Sequence, residues 1–140
     1  MAYSLSFSKS ILVLVFISDK TRRGETEFIS AKVMSDLLDI PKPTLSVILN
    51  NLIRAGILES KEGIYGGVRL AKKTDNISLL DLLLAIENEK SLFQTDFRLN
   101  VQGDRPDSVK KRVSDILKRV EGIMKDELKK ITLNDILNTK

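Results

Sequence analysis

Apolar residues recur along this chain at two different periods, and the changes of period mark its elements. From Lys42 to Ala55, Leu45, Ile48, Leu49 and Leu52 stand at i, i+3, i+4 and i+7, which predicts a helix with one apolar face. Pro43 falls in its first turn, where a missing N–H is harmless, and Gly56 suits the left-handed position just past its end. Upstream, Ser30 is a candidate N-cap for a shorter helix whose apolar positions are Ala31, Met34, Leu37 and Leu38. Asp39-Ile40-Pro41 stops that helix, because a residue before proline is driven out of the α region. Downstream, residues 57–60 and 67–70 read as two paired strands, with Gly63, Gly66 and Gly67 supplying positive φ for the turn between them.

The remaining segments carry weaker patterns. The run from Ile11 to Ile17 fits a buried strand or a buried helix; the spacing of Tyr3, Phe7, Ile11, Leu14 and Val15 favours a helix over 5–18, with 19–27 as a polar loop. Ser78 with Asp81 resembles a capping box opening a leucine-rich helix to about residue 87. A long helix is expected from 106 to about 130. Within it Val109, Val113, Ile116, Val120 and Ile123 follow the alternation of four and three that suits a coiled-coil seam, with Met124 beside them. Gly122 weakens a helix interior by about 1 kcal/mol relative to alanine, which close approach of two helices would offset. Thr132 and Asp135 look like another cap. The expected architecture is mainly α with a small β-hairpin wing: a winged helix-turn-helix domain over 1–88, a loop over 89–105, and a dimerisation helix with a C-terminal turn over 106–140.

Composition narrows the chemistry. Hydrophobic residues make up 42% of the 140, enough for a packed core. The chain has no cysteine and no histidine, which removes disulfides, thiolate chemistry and the commonest metal ligand and general base. An enzyme is therefore not expected, and neither is a cofactor. Residues 1–73 hold 11 Lys/Arg against 7 Asp/Glu, whereas 74–140 hold 12 of each, so the net +4 lies in the half containing the helix-turn-helix. The apolar run at 11–17 is too short to span a bilayer and lacks the flanks of a signal peptide, so a cytoplasmic location is expected.

If the apolar face of the second short helix is buried, its opposite face carries Lys42, Thr44, Ser46, Val47, Asn50, Asn51 and Arg54. Asparagine, serine and threonine can read base edges, and valine can touch a thymine methyl. Pro43, Thr44, Ser46 and Val47 are the candidates for base contact, while Lys42 and Arg54 suit phosphates. Any solvated helix face can have this composition, so the surrounding turn and wing carry weight. Lys72, Lys73, Arg22 and Arg23 are secondary basic candidates, each more commonly a solvated charge. Lys110, Lys111 and Arg112 form a basic run near a helix start, where the dipole disfavours cations. Phe93 and Phe97 suit small-core packing better than an effector pocket.

The segment from Phe28 to Glu87 resembles the Rrf2 family of bacterial transcription regulators. The specific pieces are Leu52-Ile53-Arg54-Ala55-Gly56-Ile57-Leu58 entering the wing, the return Gly66-Gly67-Val68-Arg69-Leu70, and Ile77-Ser78-Leu79-Leu80-Asp81 with the helix after it. The resemblance implies a homodimer of two winged domains joined by paired long helices, binding double-stranded DNA at a pseudo-palindromic operator, as a repressor. Three departures bear on this. Many members hold an iron–sulfur cluster through three cysteines in the loop before the long helix; residues 91–105 contain none, so the expected signal is a small molecule, a protein partner or simple abundance. Family wings often carry arginine just before the first glycine, where this chain has Glu62, leaving Lys61 as the cation. Tyr65 replaces a small wing residue and is expected on a sugar or over the hairpin. Glu62 also motivates an alternative, a winged interaction module that has lost specific operator binding.

Overall fold

The computed structural model describes residues 5–22, 27–87, 91–95 and 98–138. Helix α1 (Leu5–Arg22) is followed by α2 (Ala31–Leu38), α3 (Lys42–Arg54), the antiparallel strands β1 (Leu58–Lys61) and β2 (Gly67–Leu70), and a 3-10 turn at Thr74–Asn76. Helix α4 (Leu79–Ile86), the long α5 (Asp104–Lys130) and the short α6 (Leu133–Leu137) complete the order.

The apolar run near the N-terminus is helical and longer than expected. Asp19 to Arg22, read as loop from their polarity, continue α1, with Thr21 Oγ1 donating to Ile17 O at 2.8 Å and Arg22 pairing with Asp19 at 3.4 Å. Val13, Leu14 and Ile17 of this helix are fully buried. Tyr3, expected on the same face, lies outside the described residues. In α2 only Met34 is buried; Ala31 is exposed and Leu37 is 60% exposed, so the expected face is narrower than its four residues. The stop of α2 also has a cause besides proline. Asp39 adopts φ 53, a left-handed cap, and Ile40 N–H donates back to Ser35 O at 3.2 Å while Ser35 Oγ donates to Ile40 O at 2.7 Å.

Helix α3 buries Leu45, Ile48, Leu49 and Leu52 as its period requires, and Gly56 follows at φ 77. Strand β1 starts one residue later than expected. In register, Leu58 faces Leu70, Glu59 faces Arg69, Ser60 faces Val68 and Lys61 faces Gly67. On the other edge of β2, Ile29 and Val68 exchange backbone hydrogen bonds of 2.9 Å each way, which ties the hairpin to the segment entering α2. Gly63 and Gly67 take positive φ, but Gly66 does not. Gly66 is needed for space: a Cβ there would lie 2.1 Å from Lys61 O.

Both predicted capping boxes form. Ser78 Oγ accepts from Asp81 N–H at 3.1 Å and Asp81 accepts from Ser78 N–H at 3.0 Å; Thr132 and Asp135 repeat the exchange at 3.2 and 2.9 Å. The two caps are stitched to each other, Leu79 N–H to Ile131 O and Leu133 N–H to Ile77 O, both at 2.8 Å. This clasp seats Leu133, fully buried, in the core shared by α1, α3 and α4. The chain thus returns to the winged head after α5. Helix α5 packs along α4 but contains no buried residue.

Candidate nucleic-acid interface

Because the four leucine and isoleucine side chains of α3 face inward, its other face is fixed by the same rotation. Lys42, Pro43, Ser46, Asn50 and Arg54 are exposed, Thr44 and Asn51 are half-buried, and Val47 is 61% exposed. An exposed valine between Ser46 and Asn50 adds a branched apolar side chain to the amide and hydroxyl groups of this face, a mixture that can distinguish base pairs in the major groove. At the start of α3, Pro41 occupies the N-cap position and no side chain caps the first turn. At its end Arg54 reaches Asn51 Oδ1 at a long 3.5 Å, which leaves the guanidinium largely available.

The wing is held differently. Arg69, on β2, is gripped by Glu59 across the strand pair at 2.5 Å and by Glu27, and its guanidinium lies 4.5 Å from the centre of the Phe28 ring. The hydrogen bond and charge of Glu59, assisted by Glu27, raise the Arg69 pKa above its ordinary value. Lys61 also lies over Phe28, at 5.6 Å. Both wing cations are therefore drawn towards the wing's root, and Glu62 is exposed beyond them. The turn itself is closed by Gly66 N–H donating to Gly63 O at 3.0 Å, with Ile64 and Tyr65 at its two corners. Tyr65 is 87% exposed and does not cover the hairpin; Ile64 is 94% exposed. Ile64 was not a candidate from sequence, because a turn residue belongs to no periodic face; the only signal was a β-branched apolar residue where turn formers are usual. Lys72 and Lys73 are exposed below β2, and Arg23 lies outside the described residues.

The long helix presents a second surface. Val109, Val113, Ile116, Val120 and Ile123 form one stripe, between 38% and 61% exposed. Met124 is half-buried, between this stripe and the less exposed side of the helix. On that side Glu121 accepts backbone N–H bonds from Leu92 and, at 3.2 Å, from Phe93, and pairs with Lys125 at 3.3 Å. Burial works against its charge, but these partners outweigh burial and hold the carboxyl below its ordinary value. Phe93 is half-buried by this anchorage, while Phe97 lies outside the described residues. Lys111 and Arg112 are exposed one turn beyond Asp104 and Asp107, acids that suit the helix start.

No helix among the described residues is long and apolar enough to cross a membrane. The sequence profile of the Rrf2 family, described as an iron-dependent transcriptional regulator, matches residues 3–139. Over 138 residues the chain is 27% identical to YffB of Lactococcus lactis, a protein named as an HTH-type transcriptional regulator, covering 97% of this chain and 86% of the relative. Its fold superposes on CymR, the global cysteine regulator of B. subtilis, with a TM-score of 0.71 at 20% identity, covering 100% and 99% of the two chains. Superposition on T. potens IscR gives 0.60 at 23% identity, covering 98% and 86%. The iron of the family description finds neither cysteine nor histidine in this chain, and no three acidic side chains cluster among the described residues.

Proposed function

Starting from the fact that the chain belongs to the Rrf2 family of DNA-binding transcriptional regulators, we propose that it represses transcription as a homodimer bound to a pseudo-palindromic operator. The observation that carries this reading is the division of α3 into a buried apolar face and an exposed face of Lys42, Pro43, Thr44, Ser46, Val47, Asn50 and Arg54. Ser46, Val47 and Asn50 read base edges, Pro43 and Thr44 approach them from the first turn, and Lys42 and Arg54 hold phosphates. Lys61 and Tyr65 contribute from the wing. The exposed stripe Val109, Val113, Ile116, Val120 and Ile123 pairs with its copy in a second chain, with Met124 at its margin, and sets two α3 helices about 34 Å apart, one turn of duplex.

In this arrangement residues 1–88 form the DNA-binding head, 106–140 the dimerisation element, and 89–105 the effector loop. The effector is a small molecule or protein rather than an iron–sulfur cluster, because the loop offers no cysteine for one. Fluorescence anisotropy against DNA upstream of the chain's own gene, at two salt concentrations, tests the reading. A regulator binds one duplex far more tightly than scrambled DNA and weakens steeply with salt. Equal weak binding to every duplex would contradict it and favour a winged module that binds protein.

A further inference from the structure

We propose that a small pocket behind α3 binds a free amino acid with a small side chain, a zwitterion, as an effector of DNA binding. The inference rests on the reading of the chain as a regulator. It adds to residues 89–105 a second place where a signal can enter.

The pocket, of about 210 Å³, is lined by Ala55, Ile57, Lys72, Asp81, Leu84 and Ala85. It lies where the end of α3, the start of the wing and α4 meet. Its volume falls below the roughly 300 Å³ at which pockets for drug-sized ligands begin, so its occupant is a small metabolite. Ile57 is buried, and Leu84 and Ala85 are half-buried, which gives the pocket an apolar wall.

Lys72 and Asp81 set opposite charges on this one pocket, yet among the described residues neither forms an ion pair. Asp81 is not free to swing towards the lysine. Its Oδ2 accepts from Ser78 N–H at 3.0 Å, and its own N–H donates to Ser78 Oγ at 3.1 Å. The capping box thus fixes a negative charge on the wall with only one of its two oxygens engaged. Ala55, the C-cap of α3, adds the negative end of that helix's dipole. An ammonium group suits this side, and a carboxylate suits Lys72, with a charge-assisted hydrogen bond at each end. An amine alone or an acid alone matches one of the two charges, and an uncharged ligand matches neither. A small aliphatic side chain then rests on Ile57, Leu84 and Ala85.

The position supplies the effect. Ala55 ends the helix whose exposed face carries the candidate base readers, and the Asp81 cap is stitched to α6 through Leu79 N–H and Ile131 O. A ligand here touches the end of α3 and the base of the clasp together.

Calorimetric titration of the full chain with L-alanine, L-serine, L-threonine and L-valine tests the pocket, each compared with the amine and the acid of its own skeleton. At least one amino acid binds with a dissociation constant of about 1 mM or tighter, and its amine and acid bind at least about tenfold more weakly. Lys72→Met reduces the affinity to that of the amine. Asp81→Asn, whose amide oxygen keeps the cap, reduces it to that of the acid. Circular dichroism melts of both variants coincide with the wild type. The bound amino acid also changes affinity for a duplex enriched from a random-sequence pool by roughly fivefold or more, and Asp81→Asn removes this response. Binding by none of the four, or binding that both variants leave intact, overturns the pocket. Binding with no change in DNA affinity overturns the effector role. A chain that enriches no duplex overturns the regulator reading and that role with it, while the calorimetry decides the pocket separately.

Discussion

Helix α3 has 13 residues and buries four of its apolar side chains to the point where almost no solvent reaches them; α5 has 27 and buries none. Both are amphipathic, so the difference lies in what surrounds them. The apolar face of α3 meets α1, α2, α4 and β1 within one core, whereas α5 touches the head along α4 and is secured at its far end by the clasp to α6. Helix α5, about 40 Å long, leaves an apolar stripe exposed to water. On the proposed reading, the head offers the polar face of α3 to DNA, and a second copy covers the stripe of α5.

Breaking each region should therefore have different consequences. The largest effect is expected inside the head: Leu52→Ala removes a fully buried side chain and should cost about 2–5 kcal/mol, read as a lower denaturant midpoint. Val120→Glu, on the exposed stripe, should leave the head folded but give a monomer by light scattering. Operator affinity should then fall roughly 100-fold or more as the second half-site no longer helps; an unchanged mass would remove α5 from the interface. Asn50→Ala should lose about 1–3 kcal/mol of discrimination with nonspecific binding intact, measured by competition with scrambled DNA; an equal loss on both would assign Asn50 to phosphate. Ser78→Ala should cost about 1 kcal/mol of thermal stability, because it opens one capping box at the clasp.

The smallest expected effect concerns the loop held by Glu121. A carboxyl held below its ordinary value near 4.3 stabilises the folded loop at any pH above that value. The contribution is lost as pH falls through the lower, folded value. The amide resonances of Leu92 and Phe93 should accordingly stay constant from neutral pH down past that ordinary value, then shift together, and Glu121→Gln should abolish the transition. If they titrate at the ordinary carboxylate value, Glu121 does not anchor the loop.

What could be read from sequence was local and periodic. Leu45, Ile48, Leu49 and Leu52 predicted both α3 and its buried face, and the two capping boxes were legible because each is a contact between residues three apart. The same local reasoning overextended the buried face of α2, since Leu37 falls on the helical period but stays 60% exposed. It ended α1 too early because polar residues can cap a helix or continue it. Asp39 in a left-handed conformation, the space shortage at Gly66, the Ile29–Val68 bridge, and the stitching of Ile77–Leu79 to Ile131–Leu133 depend on segments distant in sequence or on backbone geometry. No spacing rule marks them. At the candidate interface, the exposure of the α3 residues follows from the buried face, whereas Ile64 at the turn corner and Glu121 beneath the loop are marked by no period.

Light scattering on the chain bound to its best enriched duplex tests the central claim most directly, namely that two copies joined through α5 place two α3 helices on one operator. The account predicts a mass of two chains per duplex, with protected half-sites about 10 base pairs apart. A complex of one chain per duplex with full affinity would contradict it.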